Sequence, residues 1–124
     1  MTFDSVLQKI HTRQARVGVI GLGYVGLPLL VELSRAGFQA VGLDVNRSRV
    51  DALVHGKSYL EDVSADDVGE VLAAGRLTPT MDFSELAGLD TVSICVPTPL
   101  RKTKDPDLSF VVAAVDQIVR HLRS

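Results

Sequence analysis

The feature that most constrains this chain is the hexapeptide 21–26, which reads G-L-G-Y-V-G. The short apolar run 16–20 predicts a buried strand before it, and the spacing of the leucines in 25–36 predicts a helix after it. Gly37 stands where the left-handed residue that ends a helix belongs. A G-x-G-x-x-G turn between a strand and a helix is typical of dinucleotide sites, because amides at the helix N-terminus face the phosphates.

An acidic residue at the end of the second predicted strand adds to this pattern. That strand, 38–43, ends at Asp44, which lies 18 residues beyond Gly26. A carboxylate at this place accepts hydrogen bonds from the adenosine ribose hydroxyls, and its charge repels the 2′-phosphate of NADP. The pattern therefore predicts NAD as the cofactor. The alternative is a structural strand, turn and helix that hold no ligand.

Five residues of the hexapeptide are predicted to bind the cofactor. Gly21 allows the tight turn out of the strand, Gly23 lets the backbone approach the pyrophosphate, and Gly26 lets the helix pack closely on the strand. The N–H groups near Tyr24 and Val25 point at the phosphates from the helix N-terminus, whose partial positive charge favours an anion.

Predicted helices and strands alternate over the rest of the chain, which is typical of a parallel sheet with helices on both faces. After Asp44 we predict helices over 47–54 and 64–75, a strand over 76–79, a helical turn over 82–86, a strand over 91–96 and a helix over 108–122.

The chain divides into two parts on this basis. Residues 1–14 are predicted as an N-terminal helical segment with an apolar face of Val6, Leu7 and Ile10, and 15–124 as a Rossmann-type doubly wound α/β domain. Four predicted strands are fewer than the roughly six of a complete doubly wound domain. We therefore expect a sheet that is cut short on its C-terminal side.

Composition narrows the choice of partners. The net charge of −2 argues against nucleic acid as a partner, since a surface that tracks phosphates needs a basic excess. No apolar run approaches the roughly 18 residues of a membrane helix, and 1–16 has no signal-peptide core. We expect a cytoplasmic protein without a membrane partner. The single cysteine excludes an internal disulfide, and the three scattered histidines predict no metal site.

Two stretches resemble one family of enzymes. Residues 17–29, which read VGVIGLGYVGLPL, and the V-P-T-P sequence of 96–99 are similar to the UDP-glucose/GDP-mannose dehydrogenase family. Residues 96–100 and 105–110 are most similar to the branch that oxidises UDP-N-acetyl-hexosamines. The resemblance extends from about residue 5 to residue 122 and covers nearly the whole chain.

The resemblance implies an activity for the whole protein. Members oxidise the C6 alcohol of a nucleotide sugar, here a UDP-N-acetyl-hexosamine or UDP-glucose, to a carboxylate with two NAD. They are homo-oligomers, and their N-terminal domain binds NAD. Their catalytic cysteine, lysine and aspartate correspond to positions beyond residue 124. We therefore expect no catalytic residue in this chain, and we expect the chain alone to be inactive.

The resemblance also implies roles for single residues. Asp44 corresponds to the ribose ligand, Arg49 to a basic residue that accompanies it, and Thr98 to a residue beside the nicotinamide ribose. Arg49 lies over the adenine, reaches a phosphate, or is a solvated helix residue. Thr98 has the alternative of a plain turn threonine. Pro97 and Pro99 end the strand and stiffen the turn.

Cys95 is predicted to be a core residue and not a nucleophile, because it stands inside an apolar strand without a glycine-framed motif. The basic run 101–104 is predicted as a solvated loop, with the alternative that it faces the substrate phosphates. Two other functions remain open at this point. One is the cofactor domain of a β-hydroxyacid dehydrogenase, and the other is a non-catalytic NAD-binding module. An exposed edge at the fourth strand argues against the module.

Overall fold

The computed structural model describes residues 3–12, 14–103 and 105–121. Helices and strands alternate along it, as the sequence predicts. In chain order the elements are α1 (Phe3–His11), β1 (Arg16–Ile20), α2 (Gly26–Arg35), β2 (Gln39–Leu43), α3 (Arg47–Val54), α4 (Ala65–Ala73), β3 (Leu77–Thr80), a 3-10 helix (Phe83–Gly88), β4 (Thr91–Ile94) and α5 (Ser109–Arg120).

The four strands form one parallel sheet in the order β3-β2-β1-β4, which confirms the predicted Rossmann-type α/β fold. The chain extends the sheet from β1 through β2 to β3, and it then returns to add β4 on the other side of β1. The carboxyl ends of β1 and β4 therefore flank the point where the strand order reverses. Ligands of open α/β sheets bind at that point, and Gly21 follows β1 directly into it.

Each face of the sheet has its own apolar core. Val19 of β1 and Leu30 of α2 belong to the core on one face, which α2 and α4 cover. Ile20 and Leu43 belong to the core on the other face, against the 3-10 helix and α5. Neighbouring residues of a strand point to opposite faces, so the near-continuous apolar run of β1 is buried on both sides.

The last predicted strand is shorter than the sequence indicates. We predict 91–96, whereas β4 ends at Ile94. Ile94 pairs with Ile20, the last residue of β1, and the next residue of the β1 segment is Gly21 in a left-handed turn. Because β1 ends there, the residues after Ile94 have no strand to pair with. One further bond forms, from Cys95 N to the Ile20 carbonyl at 2.7 Å.

The side of the molecule formed by α5 and β4 is open. Of the apolar stripe predicted for 108–122, Val112 and Val119 are about two-thirds exposed, and Ala114 is the buried residue of α5. Ser93 and Ile94 of β4 are exposed as well. Leu122 lies outside the described residues, as do Lys104 of the predicted basic loop and the side chain of Val6 in the predicted N-terminal face. Within the described parts of the chain, no helix has the length and apolar character needed to cross a membrane.

Gly69 and Gly75 give a test of this local structure, because a Cβ at either glycine meets no described atom within 4 Å. Gly69 lies inside α4, so Gly69→Ala is expected to raise the free energy of unfolding by roughly 0.5–1 kcal/mol. Gly75 ends that helix with a φ of +72°, so Gly75→Ala is expected to lower it by about 1 kcal/mol. Urea denaturation measures both changes. Equal effects of the two substitutions would contradict the left-handed conformation at Gly75.

Candidate functional site

The glycine loop between β1 and α2 is held against the neighbouring strands. Gly21 has a φ of +94°, and its amide donates to the carbonyl of Leu43 at 2.8 Å. A Cβ on Gly21 would lie 2.5 Å from the carbonyl oxygen of Cys95. Both the backbone conformation and the lack of space therefore require glycine here, which agrees with the tight turn predicted from the sequence.

The other two glycines of the motif face different surroundings. A Cβ on Gly26 would overlap the carbonyl oxygen of Gly21, so the start of α2 can approach the loop only without a side chain. Around Gly23 the nearest described atom to a Cβ is Nη1 of Arg49, at 3.8 Å. Gly21 and Gly26 are thus required by the packing of the chain itself, whereas Gly23 borders open space in which a ligand can approach the protein backbone.

The start of α2 leaves polar groups open. Val25 occupies the N-cap position, where no described side chain caps the helix. The first helical bond runs from Leu27 N to the carbonyl of Gly23, at 3.1 Å. Tyr24 is 84% exposed and Val25 is 69% exposed, so this turn is accessible. Uncapped N–H groups at a helix N-terminus favour an anion.

Asp44 is buried, and the chain itself uses its carboxylate. Oδ2 accepts from Leu22 N at 2.9 Å and from Arg49 Nη1 at 3.2 Å, and Oδ1 accepts from Asn46 N at 2.9 Å. A carboxylate has about four acceptor positions. Among the described residues three donors are present, which leaves a position on Oδ1. Asp44 thus ties the glycine loop to the end of β2 and retains capacity for a ribose hydroxyl.

Arg49 is drawn into this cluster by its position on α3. Asn46 caps α3 by accepting from Arg49 N at 3.3 Å, which places the side chain of Arg49 beside Asp44. Its guanidinium carbon lies 5.9 Å from the centroid of the Tyr59 ring, within cation–π range. The Arg49 side chain is thus partly exposed and has two partners within the chain, and its contact with a cofactor stays a prediction.

Tyr59 is a residue of this site that the sequence analysis missed. It lies in the loop after α3, and its hydroxyl donates to the carbonyl of Leu22 in the glycine loop. Burial raises the pKa of Tyr59 to about 12, with Arg49 opposing and Asp44 adding to the shift. The hydroxyl is therefore a protonated donor at neutral pH. The only signal in the sequence was an aromatic residue in the loop 57–63.

These elements surround an open cleft of about 560 Å³ at the carboxyl ends of β1, β2 and β4. Its walls are the glycine loop, the turn after Asp44, the segment from Cys95 to Pro97, and Phe110 of α5. A smaller apolar pocket of about 150 Å³ adjoins it and shares Asp44 and Phe110. The sequence analysis did not single out Phe110, because its place in the cleft depends on how α5 packs.

The cleft brings together most of the predicted site residues. Gly21, Gly23, Tyr24, Val25, Asp44 and Arg49 line it, and Gly26 is buried behind the loop. Thr98 is exposed, and the described wall ends one residue earlier, at Pro97. The geometry places Thr98 beside the cleft and not in its wall, and its contact with a cofactor stays a prediction.

Cys95 differs in its surroundings from what the sequence indicates. It is predicted inside a strand, whereas it follows β4 and lies half-buried in the cleft wall, packed against the core. Burial raises the pKa of its thiol, which disfavours the thiolate that a nucleophile needs. Within the described residues, no group of three or more His, Cys, Asp or Glu side chains is placed to hold a metal ion.

Alanine substitutions separate the two kinds of glycine. Gly26→Ala introduces an overlap with backbone, and we expect the free energy of unfolding to fall by about 3 kcal/mol or more. Gly23→Ala meets only ordinary contacts, so its stability is expected within about 0.5 kcal/mol of wild type. Urea denaturation again measures both. A Gly23→Ala variant that loses as much stability as Gly26→Ala would refute the open surroundings of Gly23.

Comparison with known proteins agrees with this architecture. Residues 15–124 match the model of the UDP-glucose/GDP-mannose dehydrogenase family, NAD binding domain. The UDP-N-acetyl-D-glucosamine 6-dehydrogenase of Pseudomonas aeruginosa is 35% identical over 111 residues, which are 90% of this chain and 25% of that protein. The UDP-N-acetyl-D-mannosamine dehydrogenase of Pyrococcus horikoshii is 35% identical over 101 residues, which are 81% of this chain and 24% of that protein.

A solved structure gives the same result. GDP-mannose dehydrogenase from Pseudomonas aeruginosa, solved as a ternary complex, superimposes with a TM-score of 0.84 at 32% identity. The match covers 88% of this chain and 26% of that chain. The present chain thus spans about a quarter of the length of the relatives it matches. It belongs to the UDP-glucose/GDP-mannose dehydrogenase family, and residues 15–124 correspond to the NAD-binding domain of that family.

Proposed function

We propose that this chain holds NAD for a nucleotide-sugar dehydrogenase that oxidises the C6 alcohol of a UDP-N-acetyl-hexosamine, or of UDP-glucose, to a carboxylate. The observation that carries the proposal is the pairing of an open Gly23 with a buried, still accepting Asp44 in one cleft at the reversal of strand order. Bound NAD supplies the hydride acceptor, and each four-electron oxidation of an alcohol to a carboxylate uses two NAD.

The residues of the cleft fit the parts of a dinucleotide. The uncapped start of α2 and the bare backbone at Gly23 suit the pyrophosphate. The free position on Asp44 Oδ1 suits a hydroxyl of the adenosine ribose. The adjoining apolar pocket, walled by Val96 and Phe110, suits the flat adenine base. Thr98, beside the cleft, is proposed to contact the nicotinamide ribose.

Arg49 has a further part in this proposal. Its guanidinium occupies one acceptor position of Asp44 Oδ2, which a second ribose hydroxyl would need. We propose that Arg49 leaves this ion pair when the cofactor binds and turns toward the adenine or a phosphate.

The chemistry itself is proposed to reside outside these 124 residues. The only cysteine, Cys95, has a raised pKa and packs against the core, which is unsuited to nucleophilic attack. UDP-N-acetyl-hexosamine as the substrate rests on the likeness of 96–100 and 105–110 to that branch, and it is supported by the names of the relatives. By the same resemblance, the whole protein is proposed to be a homo-oligomer that acts on a nucleotide sugar. The net charge and the lack of a long apolar run support a cytoplasmic protein that acts on neither nucleic acid nor membrane.

Reading of the ribose by Asp44 is testable with a matched pair of variants. Asp44→Asn removes the charge that repels a 2′-phosphate, and the preference for NAD over NADP is expected to fall by about tenfold. The measurement is calorimetric titration with each cofactor. Asp51→Asn, which changes an exposed carboxylate of α3, is the control and should keep the preference. An unchanged preference in Asp44→Asn would show that Asp44 does not read the ribose.

The location of the catalytic groups gives a second test. The 124-residue chain is expected to bind NAD by calorimetry but to produce no NADH when UDP-N-acetylglucosamine and NAD are supplied together. The physical reason is the absence of an activated nucleophile near the cleft in the described residues. NADH formation at a rate proportional to the concentration of this chain would show that the catalytic residues lie within it.

A further inference from the structure

We propose that Tyr59 is a positioning residue that holds the glycine loop in the conformation needed for the dinucleotide, through one hydrogen bond to the carbonyl of Leu22. The inference rests on the proposed function, since it takes NAD as the ligand of the loop. It concerns the peptide unit between Leu22 and Gly23, the glycine of the motif that borders the open cleft.

Side chains hold both polar backbone groups of Leu22. Its amide donates to Asp44 Oδ2 at 2.9 Å, and its carbonyl accepts from the Tyr59 hydroxyl. The Leu22 side chain is fully buried. The backbone that leads into Gly23 is therefore held at a fixed position. Tyr59 is 37 residues from Leu22 along the sequence, so this is a tertiary bond and not part of the local turn.

The geometry of a peptide unit explains why this carbonyl matters. The Leu22 carbonyl and the Gly23 N–H belong to the same planar trans peptide, so they point in opposite directions. When Tyr59 fixes the carbonyl, it also directs the Gly23 N–H away from Tyr59. Glycine permits this peptide to rotate at little steric cost, because it populates both signs of φ. Because Gly23 has no side chain, a phosphate can approach it, but its N–H is also less fixed in direction. The hydrogen bond from the Tyr59 hydroxyl to the Leu22 carbonyl restores that direction.

Tyr59 is itself held in place. Its ring packs against the core, and the guanidinium of Arg49 lies 5.9 Å from its centroid. Ser58 stiffens the loop around Tyr59, since its hydroxyl donates to the Leu60 carbonyl at 3.0 Å and accepts from Leu60 N. Burial raises the pKa of Tyr59 to about 12, so the hydroxyl remains a donor across the neutral range. The Tyr59 hydroxyl is thus a donor that is held in position to bond the Leu22 carbonyl.

Tyr59→Phe removes only the hydroxyl and keeps the ring that packs on the core and faces Arg49. Without NAD, we expect the Leu22 amide of this variant to lose most of its protection from hydrogen exchange, because the loop is then open for most of the time. NMR-detected hydrogen exchange measures this protection. Unchanged exchange at Leu22 would overturn the proposed hold on the loop, whatever the cofactor does.

Affinity for NAD is the second measurement. If the loop of Tyr59→Phe is competent for only a tenth to a fifth of the time, the dissociation constant for NAD rises about five- to tenfold. The control is Leu33→Ala in the last turn of α2, which removes apolar contact from the core and lies outside the cleft and the adjoining pocket. It should lower the melting temperature and keep the dissociation constant within about twofold of wild type.

The outcomes separate three explanations. A weaker affinity in Tyr59→Phe alone supports the positioning role. An unchanged affinity in Tyr59→Phe, or an equal loss in Leu33→Ala, overturns it, because the hydroxyl would then contribute nothing or only general stability. If the wild-type chain does not bind NAD at all, the proposed function fails, and the exchange rate of the Leu22 amide still decides whether Tyr59 holds the loop.

Discussion

The close approach of α2 to the glycine loop is the constraint on which the rest of this structure depends. The backbone of Gly26 lies so near the Gly21 carbonyl that no side chain fits between them. This approach aims the start of α2 at the carboxyl ends of the strands, where the sheet order reverses. It also lets the helix bury Leu27 and Leu30 against the sheet. One steric requirement thus fixes both the packing of the main core and the orientation of the uncapped amides at the start of α2.

Asp44 shows how closely folding and binding are combined at this site. Its carboxylate is almost fully buried and is satisfied in part by backbone amides of Leu22 and Asn46. A buried charge without such donors would destabilise the domain. The same charge is the group proposed to distinguish NAD from NADP. A change at Asp44 therefore alters both stability and recognition, and only a ratio of two affinities isolates its role in recognition.

The sequence predicts those parts of the site that are local in the chain. The strand, the glycine loop and α2 are contiguous, and Asp44 follows β2 directly. The spacing of apolar residues and the positions of the glycines therefore suffice to place them. Tyr59 could not be found in this way, because its partner Leu22 is 37 residues distant. The end of β4 was misplaced for a related reason, since it is fixed by the length of β1 and not by the apolar residues after Ile94. Where a contact joins distant parts of the chain, the sequence pattern predicts the secondary-structure element but not the residue that it contacts.

The three glycines of the motif carry different information about function. Gly21 and Gly26 are required by contacts within the chain, namely the Cys95 carbonyl and the loop itself, so they would be needed even without a ligand. Only Gly23 is free of such a requirement among the described residues, because a Cβ there meets nothing closer than the Arg49 side chain. The alternative of a ligand-free turn accounts for the first two glycines and leaves the third unexplained. Gly23, together with the buried Asp44, is therefore the part of the pattern that argues for a dinucleotide.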